Sequence, residues 1–101
     1  MEVKHQKGAI AKVAVIKYFM ERGYYVYDET MPTGPIDFVA VDPKNGNVRF
    51  VDVKTMSFRS STSKQPNTMI NRCPTSIQKK LGVEIIYFNH RNGSVKHAKK
   101  T

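Results

Sequence analysis

The six residues Asp42-Pro43-Lys44-Asn45-Gly46-Asn47 constrain the chain most, because they allow the segments on either side little but a hairpin. Proline has no N–H to continue a ladder, and an Asn-Gly pair suits the positive φ of a tight turn. The flanking arms, 36–41 and 48–53, are rich in β-branched and aromatic residues and read as antiparallel strands. Asp37 lies early on the first arm and Asp52 late on the second, so antiparallel pairing brings both to one end of the hairpin. Asp52 and Lys54 are two apart on one strand and point to the same face. The hairpin therefore gathers two carboxylates and an amine.

These acids sit in apolar surroundings. Asp37 interrupts an apolar run, and Asp52 lies within Phe50-Val51-Asp52-Val53. An unpaired buried carboxylate costs several kcal/mol, so something must compensate the pair. A hard cation such as Mg²⁺ is held by one or two carboxylates and several waters, often with phosphate oxygens. A lysine beside it orients a water or neutralises charge on the phosphate. Two acids and an amine therefore fit metal-dependent phosphodiester hydrolysis.

The same residues resemble the PD-(D/E)xK nuclease superfamily. Pro35-Ile36-Asp37 looks like its PD half and Asp52-Val53-Lys54 like its (D/E)xK half. The resemblance implies that Asp37 and Asp52 bind Mg²⁺, with Mn²⁺ able to substitute, and that Lys54 assists the attacking water. Lys7-Gly8 before a helix, then Arg22-Gly23-Tyr24-Tyr25-Val26, is also similar to archaeal Holliday-junction resolvases and to phage and homing endonucleases. One position departs from them. Those relatives commonly carry a helix glutamate four residues after the glycine, and here that place holds Lys12. Glu2 and Glu21 are the acids nearest in sequence, and Glu21 falls at the far end of the helix. Gln78 resembles a residue that several of these nucleases place near the site on a second helix.

Charge points to a polyanion. Lys and Arg number 17 against 8 Asp and Glu, for a net charge of +9, and after residue 53 ten basic residues face one acid, Glu84. Such an excess favours nucleic acid. A lone cysteine, Cys73, excludes an intrachain disulfide and zinc-ribbon spacing, and indicates an intracellular protein. No signal-like or membrane-length apolar run appears, and no basic amphipathic helix of convincing length supports membrane binding.

The other elements follow from local pattern. Residues 8–21 place a broad apolar surface at helical spacing, closed by Gly23. Residues 24–27 are β-prone. Residues 56–74 are polar and aperiodic and read as a long loop leaving the strand beside the site, where Arg59, Lys64 and Arg72 suit phosphate contacts. Thr75-Ser76 caps a short helix over 77–81, bearing Lys79 and Lys80 as further phosphate contacts and stopped by Gly82. Residues 83–88 form a strand, turned by Asn92-Gly93 into a second hairpin. His90 lies in that turn without the second histidine of an HNH nuclease, and residues 98–101 form a basic tail.

The whole is expected to be a single α/β domain of restriction-endonuclease-like type: a mixed sheet with a long N-terminal helix and a second short one. The function implied is a Mg²⁺-dependent DNA endonuclease of phage or mobile-element kind, expected as a homodimer, with Lys12 available to contact phosphate. The alternatives are a Holliday-junction resolvase, needing two sites and preferring four-way junctions, and a noncatalytic nucleic-acid-binding module that kept the fold.

Overall fold

The computed structural model describes residues 3–98, apart from 32, 63, 66 and 67. The order is α1 (Val3–Glu21), β1 (Tyr25–Asp28), β2 (Phe38–Val41), β3 (Val48–Thr55), α2 (Ser76–Leu81), β4 (Val83–Phe88) and β5 (Val95–His97). The five strands form one sheet in sequence order. All neighbours pair antiparallel except β3 and β4, which are parallel and are joined through the 56–75 segment and α2. The mixed α/β architecture with one long and one short helix is the expected one.

Helix α1 begins at Val3, ahead of the expected start at Gly8, and carries the glycine in its interior. Its end is a Schellman motif: Gly23 N–H donates to the Met20 carbonyl at 3.0 Å and Tyr24 N–H to the Phe19 carbonyl at 3.1 Å. Gly23 has φ +88, a conformation that favours glycine. The motif's apolar contact is present, with the Phe19 and Tyr24 rings edge to face at 5.2 Å. It turns the chain from helix into β1.

Ala11, Val15 and Phe19 lie at spacings of four and form the buried stripe of α1. They pack on Phe38, Ala40, Val51, Ile86 and Phe88, all buried on the same side of the sheet. Strand alternation turns Phe50, Asp52 and Lys54 to the opposite side. One face of the sheet is thus the core, and the other carries the two candidate site residues of β3.

The central hairpin closes as its sequence requires. Asp42 N–H donates to the Asn47 carbonyl, Gly46 N–H to the Asp42 carbonyl, and Lys44 N–H to Asp42 Oδ1, with Gly46 at φ +74. Strand β2 starts at Phe38 instead of Ile36, and β3 runs on to Thr55 because β4 pairs along its far half. The 56–74 segment is not wholly without structure: Phe58 and Met69 form an antiparallel bridge, flanked by Arg59 N–H to the Thr68 carbonyl and Ile70 N–H to the Ser57 carbonyl. Strands β1 and β5 are the edges of the sheet. Among the described residues no helix is long and apolar enough to cross a membrane.

Candidate active site

The register between β2 and β3 pairs Phe38 with Val51. Continued by one residue, it sets Asp37 opposite Asp52, although Asp37 stands just before the assigned strand. Its N–H already donates to the Val51 carbonyl at 2.8 Å. Asp37 Oδ2 in turn accepts the Val53 N–H at 2.7 Å, so the side chain is fastened across the hairpin to the residue between Asp52 and Lys54. This bond fixes the first acid relative to the second.

Asp52 is 5% exposed, and Lys54 Nζ lies 3.2 Å from its Oδ2. Gln78 reaches the same oxygen from α2, donating through Nε2 at 3.1 Å, and donates also to the Pro35 carbonyl at 3.0 Å. Gln78 therefore ties together β3 and the segment leading to Asp37. Its Oε1 accepts the Thr75 N–H while Thr75 Oγ1 accepts the Gln78 N–H, a capping box that fixes the side chain at both ends. Helix α2 ends at Gly82 with φ +69.

The pair is electrostatically crowded. Burial pushes the Asp37 carboxyl up to about 6, opposed by the Val53 N–H and reinforced by Asp52 and Glu29. The β1–β2 register, continued one residue past Asp28 and Phe38, brings Glu29 opposite Asp37. Two carboxylates thus face each other, with a third acid next in the row and one lysine on the far side. The side chain of Lys54 is 38% exposed against 7% for Asp52, so the amine stands between the buried acid and solvent.

The fold recurs in a solved structure. It is that of a bacterial homing endonuclease, I-Ssp6803I, which aligns over 96% of this chain and 78% of its own with a TM-score of 0.63. Identity is 18%, so the likeness is one of fold. No family model matches the chain, and no curated protein does.

Lys12, at the helix position where an acid was expected, is held by two acids of its own. Its Nζ lies 2.7 Å from Asp28 Oδ1 and 3.2 Å from Glu29 Oε1. Burial pulls this amine down, but the bonds to Asp28 and Glu29 outweigh it and hold it above its ordinary value. It also holds the Asp28 carboxyl below its ordinary value. Glu21 is exposed at the other end of α1, while Glu2 and Lys99-Lys100 lie outside the described residues.

Among the described residues, the remaining basic side chains make no ion pair with Asp37 or Asp52. Arg59 donates to Thr68 Oγ1 at 2.9 Å and to the Met69 carbonyl at 3.0 Å, which secures the loop's own bridge. Lys64, Arg72, Lys79 and Lys80 are exposed. Gln78 is buried and turned to the acids instead of outward. The Lys12–Glu29 contact was missed in the sequence. The β1–β2 register carries Glu29 to the row of Asp37, but only the packing of α1 on the sheet brings Lys12 to it.

Proposed function

We propose that the chain is a metal-dependent DNA endonuclease of the PD-(D/E)xK kind, with Asp37 and Asp52 holding Mg²⁺ or Mn²⁺ and Lys54 assisting the attacking water. The observation that carries this reading is the placement of two facing carboxylates with the Lys54 amine 3.2 Å from the buried one. The donor set suits a hard divalent ion: carboxylate oxygens, one of them on an acid that burial and its neighbour make reluctant to ionise alone. Such an ion, when bound, supplies Lewis-acid stabilisation of charge on the phosphate and a more acidic water.

The residues of the chain have separate tasks. The Val53 N–H and Gln78 orient the two acids, and Lys54 stands toward solvent to position the water or meet a phosphate oxygen. A mobile-element setting is supported by the shared fold of a homing endonuclease. Cutting both strands calls for two sites, and the sheet edges at β1 and β5 offer pairing surfaces for a homodimer.

The test is cleavage of labelled linear duplex, single-stranded and four-way-junction DNA with Mg²⁺ or Mn²⁺, beside EDTA and Asp52→Ala controls. We expect cutting that EDTA abolishes and Asp52→Ala lowers by about a hundredfold or more. The ranking of substrates separates a general endonuclease from a junction resolvase. DNA binding with no cutting under any metal would overturn the enzymatic reading.

A further inference from the structure

A hollow of the surface lies where β5 stops short of β4. Strand β5 pairs with Ile86, Tyr87 and Phe88, and the Ala98 N–H reaches the Ile85 carbonyl at 3.0 Å. Beyond that point the first residues of β4 have an uncovered edge. Residues 71–74 and Lys79 of α2 line the space with this edge, leaving an open cleft of ≈ 1570 Å³.

Its charge is one-sided. Arg72, Lys79 and Lys96 line it, and Glu84 is the one acid among the described lining residues. Glu84 is neutralised by Arg49, which donates to both its oxygens at 2.8 and 2.6 Å. Lys12 and Lys54 are ion-paired, whereas Arg72, Lys79 and Lys96 have no ion pair among the described residues. Solvated surface cations are usually interspersed with acids; here three converge on one hollow whose one described acid is paired with Arg49.

The cleft is also joined to the acids. Strand register sets Lys54, Tyr87 and Lys96 in one row across β3, β4 and β5. The Tyr87 hydroxyl accepts the Arg72 N–H and so pins the basic loop to that row. A single small anion would not fill a hollow of this volume, but a chain of phosphates would meet its cations in turn.

We propose that this cleft holds the phosphate backbone of duplex DNA as it leaves the acids, with Arg72, Lys79 and Lys96 each meeting a phosphate. The identity of the polyanion rests on the nuclease reading above; the place and the residues rest on the cleft. Each such contact releases counterions and contributes about 0.9 to the slope of log affinity against log salt.

The test is fluorescence anisotropy of a labelled linear duplex in EDTA, over a range of salt, with the full chain. The triple variant Arg72→Gln/Lys79→Gln/Lys96→Gln is compared with Lys17→Gln/Lys44→Gln, which removes exposed cations from α1 and from the central turn. We expect the triple variant to bind about tenfold or more weakly, with a salt slope shallower by roughly 2.7, and the control pair to shift the slope far less. The Arg72 contact to Tyr87 runs through its backbone and survives the change. If the triple variant loses its cooperative melt, each single variant should still lower the slope by about 0.9. Equal losses in both multiple variants, or an unchanged triple variant, would overturn the cleft while leaving metal-dependent cutting to stand. Loss of binding at the cleft in a protein that never cuts DNA would uphold the cleft and remove the nuclease. No binding by the unaltered chain would overturn both.

Discussion

Asp37 is where the candidate site opposes the stability of the fold. Its carboxyl titrates near 6 in the folded protein against 3.8 ordinarily, because burial, Asp52 and Glu29 outweigh the Val53 N–H. Between about pH 4 and 6 the folded chain holds a proton that the unfolded chain has lost. That contribution to stability is therefore present at low pH, is lost as pH rises through about 6, and stays lost above it. Asp37→Asn removes the titration and keeps an oxygen to accept the Val53 N–H. In EDTA it should melt higher than the unaltered protein at pH 7, with the difference shrinking toward pH 4. A difference that is flat across this range, or of opposite sign, would refute the assignment of the shift to Asp37. Such a gain in stability on removing a candidate site carboxylate is the trade that a functional position would show. The facing of Asp37 and Asp52 was readable in the sequence, since turn chemistry fixed the hairpin and alternation fixed the face. The fastening of Lys12 to Asp28 and Glu29 was not, because it depends on where α1 crosses the end of the sheet.

Short-range signals fixed most elements, and the misses occur where long-range pairing decides. Gly23, the Asn45-Gly46 turn and the Thr75 cap all stand where local chemistry places them. The early start of α1 carries no capping residue to announce it, and the extension of β3 to Thr55 and the Phe58–Met69 bridge require partners distant in sequence. Helix α2 shows how an element and a site become one object. At six residues it is too short to be stable alone, and its cap and its grip on Asp52 use opposite ends of the same Gln78 amide. Thr75→Ala should cost about 1 kcal/mol through the lost cap. Gln78→Ala should cost about 1–3 kcal/mol, because it leaves a buried carboxylate oxygen and a carbonyl short of a donor. The double variant should fall short of the sum by about 0.5 kcal/mol or more, since each change already loosens what the other holds. Additive losses in denaturant melts would show the cap and the acid to be held independently.

The molecule as a whole is one long helix on one face of a five-stranded sheet, and this layering sets its tolerance. With 101 residues the chain has room for one modest core, and that core lies on the α1 side. The opposite side is given to the acids, to α2 and to the exposed apolar residues Tyr25 and Tyr27 of β1 and Val48 at the start of β3. Phe19 is the point where the layers join. It is 1% exposed, meets Phe38 of β2 edge to face at 5.5 Å, supports Tyr24 at the Schellman turn, and has the Arg49 guanidinium 4.9 Å from its ring. Glu84 holds Arg49 in that position by two bonds, so the same ring underlies the tie between β3 and β4. Phe19→Ala should therefore cost about 3–5 kcal/mol, a large share of the roughly 5–15 kcal/mol by which a domain is stable. A loss of 1 kcal/mol lowers the melting temperature of a domain this size by about 4–8 °C, so the variant should melt at least about 12 °C lower. The contrasting change is Tyr27→Ala, on the exposed face, which should shift the melt by only a few degrees. If the two variants melted alike, the stabilising layer would have to include the site face, and the separation of core from site argued from the strand alternation would fail.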